Sequence, residues 1–141
     1  MSADHPAFLD TNILVYAWEK GDSHRKQTAS RLLDQLTETN QLRLSTQVLQ
    51  ELYVTLTRKL RPARKSAEAL AILDHLSQWP VTGIGLDSIR TAATLSESAT
   101  LSFWDALIIV GAAQSGAQTL YSEGLNHGQV ILGVRIVNPF R

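Results

Sequence analysis

Four of the thirteen acidic residues stand where the surrounding pattern favours an apolar or turn residue. Asp10 directly follows a short apolar run that suits a buried strand, and Glu123 follows a second such run. Glu51 flanks the apolar stripe of a predicted helix, and Asp105 falls in the first turn of a helix that is apolar on every face. Acids in such places need a chemical explanation, because a buried charge is costly unless it is paired or bound to a metal ion.

Each of these acids also has a simpler explanation. Asp105 could complement the positive amino terminus of its helix, an effect of about 0.3–1 kcal/mol. Glu51 could be a surface acid paired with Arg58 two turns later, and Glu123 could be an ordinary loop residue. Asp10 is the hardest to explain in this way, because it lies between two apolar runs of the chain.

Considered together, the four acids predict a cation site. In open α/β sheets, ligands bind outside the carboxyl ends of the strands. Carboxylates that meet there would repel one another and raise each other's pKa values unless a cation were present. Oxygen ligands suit Mg²⁺ or Mn²⁺, and such an ion can activate water for attack on a phosphodiester. The four histidines show no zinc-like spacing and cysteine is absent, so a hard metal ion is favoured.

Short apolar runs alternate with amphipathic segments along the chain. Apolar residues at i, i+3, i+4 and i+7 predict helices, and Pro62 and Pro80 mark the ends of two of them. The alternation predicts an α/β fold in which a short central parallel β-sheet is flanked by helices on both faces. The predicted strands cover residues 7–9, 42–44, 81–84, 119–122 and 134–137, and the predicted helices residues 13–18, 23–39, 46–60, 66–79, 87–98 and 103–115.

The composition sets broad limits on function. The 141 residues are enough for one domain with its own core, and no internal repeat or linker divides them. Thirteen basic and thirteen acidic residues give a formal net charge of zero, so any surface that binds nucleic acid must be local. No signal peptide or membrane-spanning run is predicted, and the absence of cysteine fits a cytoplasmic protein.

Four segments of the chain resemble the PIN-domain ribonucleases, and most closely the VapC-type toxins of toxin–antitoxin pairs. In chain order they are FLDTNILVYA near the amino terminus, STQVLQELY in the third helix, LSFWDALIIVGA in the central helix and LYSEGLNHGQ before the last strand. The resemblance implies that residues 1–141 form a single PIN-like nuclease domain. It further implies a Mg²⁺- or Mn²⁺-dependent endoribonuclease that acts on RNA, forms a homodimer and is held inactive by a cognate VapB-like antitoxin.

The resemblance also implies roles for individual residues. Asp10 and Asp105 match the main metal ligands of the family, and Glu51 matches the acid that completes the acidic group directly or through water. Asn12 and Ser122 match residues that hold the acidic pocket together by hydrogen bonds. The expected catalytic residues are therefore Asp10, Glu51 and Asp105, with Asp10 and Asp105 binding the metal.

The late loop departs from the family pattern. The family has Thr or Ser, then any residue, then Asp, whereas this chain has Ser122, Glu123 and Gly124. Glu123 comes one position early, so it is assigned a supporting role, and a second metal ion depends on whether it replaces the missing aspartate. The departure leaves an alternative function open, a catalytically weak or inactive PIN-fold module that binds RNA or a partner protein.

A phosphotransfer domain is a third reading of the strand-end acid. Asp10 would then be the nucleophile, since an aspartate in this position also suits that chemistry. The usual phosphatase pattern places a second aspartate two positions later, where this chain has Asn12. The phosphotransfer reading is therefore disfavoured.

A run of basic residues without an intervening acid surrounds Pro62. Lysine and arginine supply the salt-dependent part of nucleic-acid affinity, so the run predicts either a solvated loop or a rim that contacts RNA phosphates. The residues assigned to RNA binding are Arg58, Lys59, Arg61, Arg64 and Lys65.

Two apolar features remain. Trp104 precedes Asp105, and its ring could stack on an unpaired base, but we interpret it as part of the core. By resemblance to the family, the leucines at positions 32, 33 and 36 and the helix over 66–79 are expected to leave a groove for an antitoxin helix or a second copy of the chain.

Overall fold

The computed structural model describes residues 5–141. Residues 1–4, on which part of the signal-peptide prediction depends, lie outside the described residues. Within residues 5–141, none of the helices combines the length and the apolar character that a bilayer span requires.

Within residues 5–141, one sheet of six short strands forms the centre of the fold. The strands are β1 Ala7–Leu9, β2 Leu42–Ser45, β3 Val81–Thr82, β4 Thr119–Tyr121, β5 Val130–Ile131 and β6 Val134–Val137. Their order across the sheet is β3-β2-β1-β4-β6-β5, and all neighbours are parallel except β5 and β6. All three residues of β1 are buried, because β1 lies between β2 and β4. The predicted α/β fold with a short, mostly parallel sheet is confirmed.

The antiparallel edge strand β5 is not predicted by the sequence pattern. Its two residues pair with β6 through Val130 opposite Arg135 and Ile131 opposite Val134. The connecting residues Leu132 and Gly133 both have positive φ, at 52° and 78°. Two central residues with positive φ are typical of a tight hairpin turn. A strand of two residues is too short to show periodicity, so only the turn could have revealed it.

In the described part of the chain, six α-helices flank the sheet. Ser23, Ser45 and Ser102 cap three of them, since each hydroxyl accepts a hydrogen bond from the backbone N–H three residues later, at 3.1, 3.3 and 3.1 Å. The helices are α1 Thr11–Trp18, α2 His24–Glu38, α3 Thr46–Val54, α4 Ser66–Leu76, α5 Leu86–Ala99 and α6 Phe103–Gln114.

Two helix boundaries differ from prediction. The α-helical hydrogen bonding of α3 ends at Val54 and continues as one π-helical turn, Thr55–Lys59, whereas an uninterrupted helix to residue 60 was expected. The start of α5 lies at Leu86, one residue before the predicted start of this helix at residue 87. The buried Ser88 hydroxyl accepts the Gly85 N–H at 3.4 Å and starts the helix earlier.

The central helix α6 is buried over residues 106–112. A Cβ atom on Gly111 would lie 3.3 Å from the Ser45 Cβ atom, a tight contact, so glycine allows α6 to pack closely on the end of β2. This close packing fixes the first turn of α6, which carries Asp105, relative to the sheet.

Candidate active site

Asp10 lies where β1 ends and α1 begins. In the parallel pairing of β1 with β4, Leu9 lies opposite Tyr121, so Asp10 and Ser122 follow side by side. Asp10 caps α1 in an extended conformation, and its Oδ1 accepts the Thr11 N–H at 2.7 Å. The Ser122 hydroxyl donates to Asp10 Oδ2 at 2.8 Å. Only 8% of Asp10 is exposed, so these two bonds hold a nearly buried carboxylate in place.

Glu51 lies on α3 and is held from two sides. The Thr11 hydroxyl donates to Glu51 Oε1 at 2.6 Å, and the Gln47 side-chain amide donates to Glu51 Oε2 at 3.0 Å. The same amide nitrogen donates to the Trp104 carbonyl oxygen at 3.1 Å. These bonds join α1, α3 and α6 around one carboxylate. The predicted alternative pair with Arg58 does not form, since Arg25–Glu123 is the one ion pair within residues 5–141.

Asp105 occupies the first turn of α6, and its backbone N–H donates to the capping hydroxyl of Ser102 at 3.1 Å. This position complements the helix amino terminus, as the simpler explanation requires. The Asp105 side chain also lines a cleft together with Asp10 and Glu51. Both explanations of Asp105 are therefore compatible with the structure.

The cleft brings three of the four predicted acids together. Its volume is about 810 Å³. Asn12 and Lys59, two other residues singled out from the sequence, also line it. Its remaining lining includes apolar and amide side chains from α1 and α3, among them Val15, Tyr16, Gln47, Gln50 and Val54.

Burial raises the pKa of Asp10 from an ordinary 3.8 to about 6. The hydrogen bonds from Ser122 and from the Thr11 N–H oppose this shift, while the negative charges of Glu51 and Asp105 add to it. Within the described part of the chain, none of these three acids has an ion-pair partner. The pKa of Asp10 is therefore raised, as expected for a buried carboxylate that no cationic side chain pairs with.

The donor set fits a hard divalent cation. Carboxylate oxygens are the ligands that Mg²⁺ and Mn²⁺ prefer. Between residues 5 and 141, however, no three acidic or histidine side chains are close enough to enclose a metal ion by themselves. A cation that keeps several of its water molecules would suit this more open arrangement, and Asp10 and Asp105 are the residues that would hold it.

In the late loop, the Ser122 side chain lies against Asp10, whereas the Glu123 side chain lies outside the lining of the acidic cleft. Besides its bond to Asp10, the Ser122 hydroxyl accepts the Gly124 N–H at 3.2 Å, and the Glu123 N–H donates to Asn12 Oδ1 at 3.4 Å. The Glu123 carboxylate does not line the cleft. It accepts the Tyr16 hydroxyl at 2.7 Å and pairs with Arg25 at 2.6 Å, and chiefly the Tyr16 bond lowers its pKa.

The five basic residues assigned to RNA binding do not share one surface role. Lys59 lines the acidic cleft, and Arg61 lines an adjoining cleft to which Lys59 also contributes. Arg64 instead donates to the Trp18 carbonyl oxygen at 2.6 Å. Lys65 immediately precedes α4, and Arg58 is exposed on the π-helical turn.

Some residues of the cleft were missed or misinterpreted from the sequence. The interpretation of Trp104 as part of the core is wrong, because 63% of the side chain is exposed and it lines the cleft. Thr11 and Gln47, which hold Glu51, were not singled out. The spacing of Gln47 one helical turn before Glu51 is a signal that could have found it.

Comparisons with known proteins support the same family. A model of the PIN domain matches residues 7–130, whereas no curated protein sequence matches significantly. Mycobacterium tuberculosis VapC20, a toxin that cleaves the sarcin–ricin loop, is 25% identical, with a TM-score of 0.66 over 81% of this chain and 86% of that one.

Two further solved structures share the fold. A toxin–antitoxin complex from Klebsiella pneumoniae contains a chain 21% identical, with a TM-score of 0.69 over 94% of this chain and 97% of that one. VapBC2 from Rickettsia felis, bound to a DNA fragment from its promoter, contains a chain 24% identical, with a TM-score of 0.64 over 92% and 96%. Because the family model spans most of the sequence, the chain belongs to the PIN-domain family.

Proposed function

We propose that the protein is a Mg²⁺- or Mn²⁺-dependent endoribonuclease, and that its 141 residues work as one nuclease domain. The observation that carries this proposal is the cleft in which buried Asp10 lies with Glu51 and Asp105 and without a paired cation. A divalent cation bound there would lower the pKa of water and stabilise the oxygen that leaves phosphorus. Water attack would break the bond to the 3′ oxygen, giving a 3′-hydroxyl and a 5′-phosphate.

The residues of the cleft have distinct roles in this reaction. Asp10 and Asp105 would hold the cation, and the hydrogen bond from Ser122 would keep the Asp10 carboxylate in a fixed orientation. Glu51 positions the attacking water and takes up its proton, since each of its oxygens has a free lone pair beyond the bonds to Thr11 and Gln47. The hydrogen bonds from Thr11 and Gln47 fix the Glu51 carboxylate, and this matters because a small misplacement of the attacking water lowers the reaction rate strongly.

The proposed partners are RNA and a protein inhibitor. VapC20 is a toxin that cleaves the sarcin–ricin loop, the Klebsiella structure is a toxin–antitoxin complex, and the Rickettsia structure is VapBC2 on promoter DNA. By analogy, the chain acts in the cytoplasm as the toxin of such a pair, forms a homodimer and binds a VapB-like antitoxin. Lys59 and Arg61, at the cleft and its neighbour, are the basic residues best placed to contact RNA phosphates.

The test compares two aspartates that each lie in the first turn of a helix. Asp105 and Asp87 each lie in the first turn of a helix, but only Asp105 lines the cleft. Asp105→Asn should reduce RNA cleavage by more than the roughly 10- to 100-fold typical of losing an outer partner of a metal ligand. Asp87→Asn should leave cleavage unchanged. EDTA should abolish cleavage by the wild-type protein, and Mg²⁺ should restore it, as followed on a labelled single-stranded RNA.

The outcomes separate the proposal from its alternative. Cleavage that survives chelation or the Asp105→Asn change would contradict the nuclease proposal. The wide spacing of the acids and the glycine at position 124 favour a second candidate, a PIN-fold module that binds RNA or protein without turnover. Retained RNA binding with no cleavage at any metal concentration would support that candidate.

A further inference from the structure

Trp104 is an exposed aromatic side chain in a fixed position. Among the described residues it is the most exposed large apolar side chain, at 63%. Its ring makes a T-shaped contact with the Phe103 ring, with 5.1 Å between centroids and 81° between planes. Phe103 in turn packs on a small apolar core formed by α5 and α6. Contact with a partly buried neighbour restrains the Trp104 ring and leaves much of its surface open to solvent.

The position of Trp104 is tied to the acids. Its carbonyl oxygen accepts the Gln47 amide that also binds Glu51, at 3.1 and 3.0 Å. Asp105 is the next residue, so the two Cα atoms are about 3.8 Å apart. A phosphodiester held between Asp10 and Asp105 would bring its attached nucleosides close to this ring.

The cleft around Trp104 offers what a nucleobase requires. Val15, Tyr16 and Val54 contribute apolar and aromatic surface, and Gln50 contributes an amide that can both donate and accept. A base has two apolar faces and a polar edge, and proteins bind single strands by stacking bases on aromatic side chains. A base inside a duplex cannot present its face in this way.

We propose that the Trp104 indole is the stacking platform for one unpaired nucleobase next to the phosphodiester that is cleaved. The inference rests on the proposed nuclease function and assigns a binding residue to it: the base on one side of the scissile bond stacks on Trp104. Stacking is tolerant of base identity, so Trp104 selects single-stranded structure and leaves sequence preference to polar groups such as Gln50.

The first measurement is RNA binding in EDTA, where the proposed reaction cannot occur. Fluorescence anisotropy of a labelled single-stranded RNA should show Trp104→Ala binding roughly 10- to 100-fold more weakly than wild type, the range expected for the loss of one stacked base. Trp104→Phe should keep most of the affinity. Leu86→Ala is the matched control, because Leu86 is 61% exposed and lies outside the lining of the cleft.

The second measurement removes the base that is expected to stack on the Trp104 ring. Abasic nucleotides are placed in turn on each side of the mapped cleavage site, or along the strand where cleavage is absent. At one position the abasic RNA should bind wild type as weakly as normal RNA binds Trp104→Ala, with no further loss when the two changes are combined. Losses that add at every position, or normal binding by Trp104→Ala, would overturn the stacking proposal.

The two proposals fail in different ways. Metal-dependent cleavage with no effect of Trp104→Ala on binding or cleavage would leave the nuclease intact and remove the stacking platform. Coupled losses in EDTA without cleavage in Mg²⁺ would establish the platform on a binding module and remove the nuclease.

Discussion

Two carboxylates that follow adjacent parallel strands have pKa values shifted in opposite directions. Asp10 follows β1 and Glu123 follows shortly after β4, its neighbour in the sheet. Burial raises the pKa of Asp10 to about 6, and no cationic side chain pairs with it in the described structure. The pKa of Glu123 is lowered by the Tyr16 hydroxyl and by Arg25, with which it forms an ion pair.

The two acids differ in whether the chain itself supplies a cation for them. The chain supplies Glu123 with its own cation, so this carboxylate has no need of an external one. Asp10 is held by neutral donors, which orient the carboxylate and do not neutralise it. An acid kept buried without compensation lowers stability, and such a cost at a cleft is typical of a site prepared for a ligand.

The largest expected effect on stability concerns Asp10→Asn in metal-free buffer. Asn suits the helix cap, and its side chain can still bond Thr11 and Ser122. Since the folded pKa of Asp10 is about 6 and the ordinary value 3.8, the variant should be more stable at pH 7 by about 3 kcal/mol. Urea unfolding measures the difference.

The pH dependence has a defined sign. A raised carboxyl pKa means that the folded wild-type protein takes up a proton first, so the stability associated with Asp10 is greatest below pH 4 and is lost as the pH rises through about 6. The difference in the free energy of unfolding between wild type and Asp10→Asn should therefore disappear on acidification. Saturating Mg²⁺ should also narrow it by stabilising only the wild type. A variant less stable than wild type at pH 7 would contradict this account.

An intermediate effect is expected for Gly124→Asp, which restores the acid of the family pattern. A Cβ atom at this position would lie 3.7 Å from Asn12 Nδ2, an ordinary contact, so the loop can accept the side chain. Asn12 lines the cleft, and a carboxylate beside it should strengthen cation binding and raise the cleavage rate a few-fold. Calorimetric titration with Mn²⁺ and an RNA cleavage assay measure the two quantities.

The matched change for Gly124→Asp is Gly124→Asn, which has the same shape without the charge. It should leave both cation affinity and cleavage as in wild type. An equal gain in the two variants would show that the loop conformation, and not the added carboxylate, limits the reaction.

The smallest effect is expected for Glu123→Gln. The amide keeps an acceptor for Tyr16 and loses the charge that pairs with Arg25, a pair whose side chains are 26% and 52% exposed. Partly exposed ion pairs contribute little, so the melting temperature should fall only slightly. Because the pKa of Glu123 is lowered, the difference in stability should be present at neutral pH and disappear as acidification protonates this carboxylate. Cleavage reduced as strongly as by Asp105→Asn would show that Glu123 is not merely structural.

Much of the fold could be predicted because the relevant signals are local. Apolar periodicity located the helices, and serine caps marked the starts of α2, α3 and α6. The π-helical turn at Thr55–Lys59 and the two-residue strand β5 were missed, since neither leaves a periodic pattern. The family model and the solved structures confirm the family predicted from four short segments.

The candidate site was predictable to a lesser degree. Asp10, Glu51 and Asp105 were singled out as acids in unusual places, and the structure puts them around one cleft. The exposure of Trp104 was predicted incorrectly, because an aromatic residue at the start of an apolar helix has the same sequence pattern whether it faces the core or solvent. The catalytic roles of the three acids stay predictions.

The sequence by itself determined where the α-helices and every strand except β5 form and that an acid stands at the end of β1, because those properties depend on neighbouring residues. Tertiary structure alone decided which charges meet. Arg25 reaches Glu123 across 98 positions of the chain, and Thr11 reaches Glu51 across 40. Contacts between distant segments depend on how helices pack on the sheet, and packing is a property of the whole chain.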